Sequence, residues 1–252
     1  MLSDKQLERY SRQILMTDFD IAGQEKLQAA TVLVVGLGGL GCPAALYLAA
    51  AGVGNLVLAD GDVVELSNLQ RQIAHGEINI GDYKAQSAAD AIRDLNSEVR
   101  TQVVAKTLHE SDLSDLLSGV DLVVDGSDNY AIRYALNRAC ITAKIPLVSA
   151  AAVRSEGQIA VFYPEIGGPC YRCLYPKTGS DTALSCSESG VLAPVVGMLG
   201  SLLAMEAVKV LSNFGSALMG KLLVVDLASM QFQSLVLPVR PDCPDCQSGA
   251  SK

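Results

Sequence analysis

The chain has no tryptophan, only two histidines and no dense run of lysine or arginine among its 252 residues. Its 19 basic and 27 acidic side chains give a net charge of −8, which argues against a nucleic-acid-binding surface. Because His75 and His109 are the only histidines, a Ser-His-Asp arrangement is hard to assemble. The N-terminus has scattered charges, no long apolar stretch and no small-residue cleavage site, so we expect no signal peptide.

Long hydrophobic runs are also scarce. The most apolar segment, residues 193–211, is interrupted by Pro194, two glycines, Glu206 and Lys209. Its uninterrupted apolar part is too short to cross a bilayer, so we expect a helix of the core or of a subunit interface, and no membrane partner. Seven cysteines without a secretion signal indicate a reducing compartment, and we expect a cytoplasmic protein.

Apolar strands alternate with helical patterns through the first 150 residues. The pattern predicts strands at residues 32–35, 56–60, 102–106, 122–125 and 147–149, with helices at 40–51 and 84–95. Such strands indicate a parallel sheet that is covered on both faces. Three further strands, at 157–163, 222–227 and 232–237, predict an antiparallel addition. We therefore expect an α/β fold: a Rossmann-like, mostly parallel sheet with helices on both faces and an antiparallel C-terminal extension.

The N-terminus predicts a helix. Ser3 and Gln6 have the spacing of a capping box, and the amphipathic helix that follows carries Arg9 and Arg12.

A glycine-rich turn follows the first predicted strand, in the sequence TVLVVGLGGLGCPAAL at residues 31–46. Gly36, Gly38 and Gly41 fit the pattern G-x-G-x-x-G, which brings backbone N–H groups and a helix N-terminus against phosphate. Asp60 lies 19 residues beyond Gly41, at the end of the next strand, where its carboxylate would accept hydrogen bonds from ribose hydroxyls. These residues alone leave NAD, FAD and ATP open, and a strand-to-helix corner without a ligand is the remaining alternative.

Cations and a further acidic site follow along the chain. Arg71, in SNLQRQ, and Lys84, at the start of a helix, could neutralise a triphosphate, although either could be an ordinary surface cation. Asp128 and Asn129 follow the strand at 122–125, at the edge where parallel sheets bind ligands. Asp128 could hold Mg²⁺ or cap the next helix, and Asp125 could orient the loop.

Four of the cysteines form two CxxC pairs. They are Cys170, Cys173, Cys243 and Cys246. This pattern predicts a structural Zn²⁺ bound by four thiolates, with two disulfides as the alternative that a reducing compartment disfavours. Cys186 belongs to neither pair and lies in a segment, 170–190, that we expect to be mobile. Cys42 and Cys140 are expected to be small core residues.

Several of these motifs occur in a fixed order across nearly the whole chain. They are RYSRQI, GLGGLG, the Asp60 strand end, LSNLQRQ, Lys84, SDN and the two CxxC pairs. This ordered set resembles the MoeB and ThiF adenylyltransferases, which activate ubiquitin-like sulfur carriers and are relatives of ubiquitin-activating enzymes. The resemblance implies ATP rather than NAD, and adenylation of the C-terminal glycine of a carrier that ends in Gly-Gly, with release of pyrophosphate.

The resemblance also implies roles for individual residues. The nucleotide site would comprise Gly36, Gly38, Gly39, Gly41, Asp60, Ser67, Asn68, Leu69, Gln70, Arg71, Lys84, Asp128 and Asn129. Catalysis would use Arg71, Lys84, Asp128 as the Mg²⁺ ligand, and Arg12 reaching in from the partner subunit of a homodimer. Cys186 is either a site of linkage to the carrier or an idle thiol. The implied cofactors are ATP, Mg²⁺ and Zn²⁺.

The chain departs from the family pattern at two places. Gly126 and Ser127 replace a Cys-Thr pair that is frequent in the family, and Tyr83 replaces a proline before Lys84. Neither change removes a charge, so they bear on loop geometry.

We expect a single domain over residues 1–252, with an N-terminal helical arm at 1–28, a nucleotide-binding part at 29–150 and a carrier-binding and zinc part at 151–252. The expected carrier is of the molybdopterin-synthase (MoaD) type, with the thiamine-pathway (ThiS) type as the alternative. We expect no rhodanese-like extension after the second CxxC pair, so a separate protein would donate the sulfur. An NAD-dependent oxidoreductase and a non-catalytic module that binds a ubiquitin-like fold are the competing function classes.

Overall fold

The computed structural model describes residues 1–176 and 189–247. Within them, eight strands form one sheet with the order β3-β2-β1-β4-β5-β6-β7-β8. The strands are β1 Thr31–Val35, β2 Asn55–Ala59, β3 Arg100–Val104, β4 Leu122–Asp125, β5 Leu147–Val153, β6 Glu156–Phe162, β7 Lys221–Asp226 and β8 Gln231–Val236. The helices are α1 Asp4–Arg9, α2 Ser11–Ile14, α3 Asp20–Ala29, α4 Gly41–Ala51, α5 Lys84–Leu95, α6 Glu110–Leu116, α7 Tyr130–Ala143, α8 Tyr171–Leu174 and α9 Ala193–Ser212.

The sheet confirms the predicted fold class. Strands β3, β2, β1, β4 and β5 are parallel, and β6, β7 and β8 add to β5 in antiparallel pairs. The chain passes from β1 outward to β2 and β3, and then returns to the other side of β1 with β4. This reversal puts a topological switch point, where open sheets of this type bind ligands, between β1 and β4.

Several predicted strand ends differ from the structure. The third strand was predicted at 102–106 and lies two residues earlier, and β5 continues four residues beyond the predicted end at 149. The extra length of β5 is stabilised by its antiparallel pairing with β6, which runs to the Val153–Glu156 pair. A long-range pairing of this kind is not visible in the local pattern.

Successive residues of β1 face two separate cores. Val32 and Val34 pack with α3, α4, α5 and α9, whereas Leu33 and Val35 pack with α6, α7 and α8. Helix α9 is long and apolar enough to cross a membrane by length and composition alone, but half of it is buried inside the protein. It packs against α4 and β5, so the expectation of a core helix is confirmed.

The N-terminal segment forms two short helices instead of the single helix that we predicted. The capping box is present, since the Ser3 hydroxyl accepts from the Gln6 N–H and the Gln6 side chain accepts from the Ser3 N–H. The helix then breaks at Tyr10, which is buried and accepts a 2.8 Å hydrogen bond from the Asn96 side chain. Arg9 and Arg12 therefore lie on different helices.

Candidate nucleotide and zinc sites

Three loops meet at the carboxyl edge of the parallel strands. They follow β1, β2 and β4, which are neighbours in the sheet. The Gly36 N–H donates to the Ala59 carbonyl (2.9 Å), and the Gly126 N–H donates to the Val35 carbonyl (2.8 Å). The glycine turn is thereby fixed between the loop that carries Asp60 and the loop that carries Asp128.

The glycines of the turn are needed for different reasons. Gly36 has φ +81°, and a Cβ on Gly41 would lie 1.8 Å from the Gly36 carbonyl oxygen, so both belong to the tight turn itself. A Cβ on Gly39 would lie 2.9 Å from the Val196 side chain. Gly38 differs, because a Cβ there would meet only the Gln72 amide nitrogen, at 3.7 Å. Space above Gly38 is therefore open, as a phosphate cradle requires.

Asp60 directly follows β2 and is bonded to the turn. Its carboxylate accepts hydrogen bonds from the Leu37 N–H (2.7 Å) and the Asp62 N–H (2.8 Å). Burial raises the pKa of Asp60, and these two hydrogen bonds oppose the rise. The carboxylate fixes the position of the glycine turn and keeps lone pairs for a further donor.

Lys84 is the first residue of α5, and its side chain is only 9% exposed. Its ammonium group lies 2.9 Å from an Asp62 carboxylate oxygen, and the Lys84 N–H donates to the Asp62 carbonyl. Asp62 itself is 72% exposed. Sequence reasoning missed this partner, although Asp62 stands only two residues after Asp60.

The predicted site residues of the SNLQRQ segment differ in their exposure, and two of them, Ser67 and Arg71, are joined by a hydrogen bond. Residues Leu66–Asn68 form a 3-10 turn, in which Asn68 is buried and Ser67 is exposed. Arg71 is partly exposed and donates to the Ser67 carbonyl (3.1 Å), while Gln70 is exposed and Leu69 is half-buried. Gln72 was not predicted as a site residue, yet it is buried beside Gly38 with an unpartnered side-chain oxygen.

Asp128 and Asn129 have separate environments. Asp128 is exposed at the end of the β4 loop, where its carboxylate is accessible to a ligand. Asn129 is the N-cap of α7, because its side-chain oxygen accepts from the Ile132 N–H (3.0 Å). The residue that caps this helix is therefore Asn129 rather than Asp128.

A buried network fixes the loop between Asp125 and Asp128. The Asp125 carboxylate accepts from the Ser127 N–H (3.0 Å), the Ser127 hydroxyl (2.5 Å) and the Ser149 hydroxyl (2.7 Å). The buried Arg133 guanidinium lies 3.8 Å from this carboxylate and donates to the Ser127 carbonyl. Proximity to Asp125 raises the pKa of Arg133 against the opposing effect of burial.

Arg12 and Cys186 are the remaining predicted site residues. Arg12 is exposed on α2 and forms no ion pair within residues 1–176 and 189–247. Cys186 lies outside the described residues, as does much of the segment that we expected to be mobile. Cys42 and Cys140 are buried, as predicted, and burial raises the pKa of the Cys42 thiol to about 12.

The four CxxC cysteines converge. Their sulfur atoms lie within 4.8 Å of one another, with Cys170–Cys173 at 3.8 Å and Cys170–Cys243 and Cys173–Cys246 at 3.5 Å. Thiolates at about 2.3 Å from a tetrahedral Zn²⁺ stand roughly 3.8 Å apart, whereas a disulfide requires about 2.05 Å. The geometry fits a four-thiolate zinc site better than two disulfides.

Polar contacts join this cysteine cluster to α7. Asp245, between the last two cysteines, binds Arg172 (2.9 Å) and accepts from the Asn137 amide (3.0 Å). Asn137 in turn accepts from the Tyr171 N–H (2.8 Å). A metal in this cluster would therefore anchor the C-terminal segment to the core.

Comparison with protein-family models identifies the family of this chain. The family model described as the ThiF family matches residues 10–246. The chain belongs to the ThiF family.

Relatives of this ThiF-family chain match over nearly its full length. The molybdopterin-synthase adenylyltransferase of Escherichia coli (strain K12) is 49% identical over 245 residues, which cover 97% of this chain and 98% of the relative. The SAMP-activating enzyme E1 of Haloferax volcanii is 45% identical, with 98% and 92% covered. The adenylyltransferase and sulfurtransferase MOCS3 of Mus musculus is 48% identical over 97% of this chain but only 54% of its own length.

Solved structures share the ThiF-family fold. Escherichia coli MccB with ATP has a TM-score of 0.82 and 25% identity, with 94% of this chain and 73% of that chain covered. MccB with MccA-N7isoASN has a TM-score of 0.85, 24% identity and coverage of 98% and 75%. The second likeness concerns the fold alone.

Proposed function

We propose that this ThiF-family adenylyltransferase uses ATP to adenylate the C-terminal carboxylate of a ubiquitin-like sulfur carrier of the MoaD type, with release of pyrophosphate. The observation that carries the proposal is that this chain is 49% identical to an enzyme named molybdopterin-synthase adenylyltransferase, over 98% of that enzyme's length. Support from the structure is the open space above Gly38, between Asp60 and the β4 loop. The ATP in the MccB complex supports the choice of nucleotide.

The reaction needs positioning and positive charge more than a general base. A C-terminal carboxylate has a pKa of roughly 3.5, so it is already an anion at neutral pH. The difficulty is that this anion must attack a polyanion. Arg71 lies in the connection between β2 and α5, and Lys84 is the first residue of α5. Both side chains would face the phosphates. A Mg²⁺ ion bound with the nucleotide would offset phosphate charge.

Each assigned side chain would then have a defined task. The backbone N–H groups of the turn, with Gly38 at its open face, would bind the phosphates, and Asp60 would accept from the ribose. Lys84 is already largely removed from water, which strengthens its attraction to an anion. Asp128 is the accessible carboxylate that would hold Mg²⁺, and Asn68 and Ser67 would line the site. The four-cysteine cluster fits a structural Zn²⁺.

The proposal includes a homodimer in which Arg12 completes the partner's site. Arg12 is exposed, and apolar side chains near it in sequence, Leu15 and Met16, are exposed too. Leu66, Ile73 and Ile78 are also exposed on the segment that follows β2. A subunit interface would cover apolar side chains such as these. The same proposal includes a cytoplasmic location, a separate sulfur donor and the division of the chain into an arm, a nucleotide part and a carrier part.

Carrier-dependent ATP–pyrophosphate exchange tests this function. We expect exchange with a purified MoaD-type carrier and less with a ThiS-type carrier, and none with a carrier that lacks its terminal Gly-Gly. Preference for the ThiS-type carrier would change the assigned pathway but keep the chemistry. Absence of exchange with both carriers would contradict the proposal and favour a binding module.

Nucleotide binding separates the proposal from a dehydrogenase. Mg-ATP should raise the unfolding temperature, because a ligand stabilises the state that binds it, and NAD should not. Stabilisation by NAD alone would favour the oxidoreductase class.

A further inference from the structure

His75 occupies a buried position beneath the glycine turn that the reaction described above does not use. It is one of two histidines in the chain and is 8% exposed. One ring nitrogen, Nε2, lies 3.1 Å from the Leu37 carbonyl oxygen, and the other, Nδ1, lies 2.9 Å from the Ser87 hydroxyl. The ring therefore joins the turn to α5, the helix that begins with Lys84.

The peptide between Leu37 and Gly38 is held by buried side chains. Besides His75, the Cys42 thiol donates to the Leu37 carbonyl at 3.0 Å. The Leu37 N–H is taken by Asp60 at 2.7 Å. Leu37 lies between the first two glycines of the turn. Its backbone N–H and carbonyl are thus both satisfied by buried or partly buried side chains.

The orientation of the Leu37 carbonyl determines the direction of the next N–H. In a planar trans peptide the C=O and the following N–H point in opposite directions. The Leu37 carbonyl points inward to His75 and Cys42, so the Gly38 N–H points outward. A Cβ on Gly38 would contact only the Gln72 side chain, at 3.7 Å, so the residue itself is not crowded on its Cβ side. In the part of the chain that the structure describes, no hydrogen bond uses this N–H.

We propose that His75 is a positioning residue for nucleotide binding, which holds the Leu37 carbonyl so that the Gly38 N–H is presented to a phosphate of ATP. The inference rests on the proposed function. Its ring is neutral in this role: Nε2–H donates to the Leu37 carbonyl, and Nδ1 accepts from the Ser87 hydroxyl. Ser87 fixes the ring plane and so connects the phosphate-binding N–H to the helix of Lys84.

Four variants test this role through the dissociation constants of Mg-ATP and of adenosine, measured by calorimetry or competition. The Gln amide nitrogen reaches about as far as Nε2, whereas the Asn amide ends near Nδ1. We therefore expect H75Q to bind Mg-ATP within about 3-fold of wild type, and H75N and H75L to bind it about 10-fold or more weakly. The matched control is H109L, at the other, exposed histidine, which should bind like wild type.

Adenosine distinguishes positioning from a general structural effect. It lacks phosphates, so its affinity should be the same in all four variants and in wild type. The role is overturned if H75N and H75L bind Mg-ATP like wild type, or if H75Q is as weak as H75N. If H75L fails to fold, the comparison of H75Q with H75N still decides the question. Failure of the wild-type protein to bind Mg-ATP would instead remove the proposed function itself.

Discussion

At the scale of single residues, Lys84 is the most buried cation among the proposed catalytic residues. Its ammonium group is nearly removed from water, and its partner Asp62 is mostly exposed. In the proposed reaction an anion approaches the phosphates, so a desolvated cation at this point lowers the energy of the transition state more than it would in water.

We predict that Lys84→Ala lowers carrier-dependent ATP–pyrophosphate exchange by about 100-fold or more, because the transition state loses a partner for its charge. Arg71→Ala should have an effect in the same direction. The control is Lys144→Ala, which removes an exposed lysine paired with Glu165 at 3.0 Å and should leave exchange unchanged. Exchange close to wild type in both site variants would contradict their assignment.

His75 should also influence stability as a function of pH. Burial is the main cause that lowers its pKa from the usual 6.5, so the folded protein keeps the ring neutral where the unfolded chain takes up a proton. The stability due to the neutral ring is therefore complete above about pH 6.5 and is lost as the pH falls towards the folded-state pKa. We predict a loss of up to about 1.4 kcal/mol per pH unit in this window for wild type relative to H75Q.

Urea unfolding of both proteins between pH 7 and pH 5 measures the difference. Since all other titrating groups are shared, subtraction isolates His75. Parallel curves for wild type and H75Q would show that the ring has the same proton affinity in both states.

Site residues near the strand ends were predictable from spacing, whereas their partners were not. Asp60 ends one predicted strand and Asp128 follows another, and the shared edge of a parallel sheet brings them together. His75 had no periodic signal, because its role depends on Leu37 and Ser87, which are distant in sequence. Contacts of this kind exist only once α5 has packed against the sheet.

Among the helices, α7 carries two arginines in different environments. Arg133 is buried against the Asp125 carboxylate, whereas Arg138 forms an exposed pair with Glu110, with two contacts of 2.8 and 2.7 Å. The shorter contacts belong to the weaker interaction, because exposed pairs are screened by solvent. Removal of a buried partner leaves an uncompensated charge.

We predict that Arg133→Met lowers the free energy of unfolding by about 3 kcal/mol or more, because Asp125 keeps its hydroxyl partners but loses its counter-charge. Arg138→Met, five residues along the same helix, should cost less than about 1 kcal/mol. Urea denaturation at neutral pH provides both values. Equal losses would show that the Asp125 network does not depend on its cation.

Element types were easier to predict than element ends. The alternation of apolar strands and helices was sufficient for the parallel half of the sheet. The break at Tyr10 was not predictable, because it follows from burial of this ring and its hydrogen bond to Asn96, 86 residues away. The extension of β5 likewise depends on pairing with β6.

For the whole molecule, the cysteine cluster connects the last described residues to the core. We predict one zinc per chain by elemental analysis, and a lower unfolding temperature after chelation, because a structural metal contributes directly to folding. The double variant Cys243→Ser/Cys246→Ser should lose the metal, whereas Cys140→Ser should keep it, since Cys140 lies outside the cluster. A metal-free protein that is fully folded and active would contradict a structural zinc.

Assembly is the second property of the whole molecule. If Arg12 acts across a homodimer, a mixture of Arg12→Ala and Asp128→Ala subunits should recover up to about a quarter of wild-type exchange, since half of the randomly formed dimers have one complete site. Each variant alone should be inactive. Lack of recovery, with mixed dimers verified, would place Arg12 in its own subunit or outside the site.

The most direct measurement is a crystal structure of the protein with Mg²⁺ and a non-hydrolysable ATP analogue. The account predicts phosphates above Gly38, with the Arg71 guanidinium and the Lys84 ammonium directed at them, and Arg12 entering from the partner subunit. A nucleotide bound elsewhere, or phosphates at the turn with these three cations directed away, would contradict it.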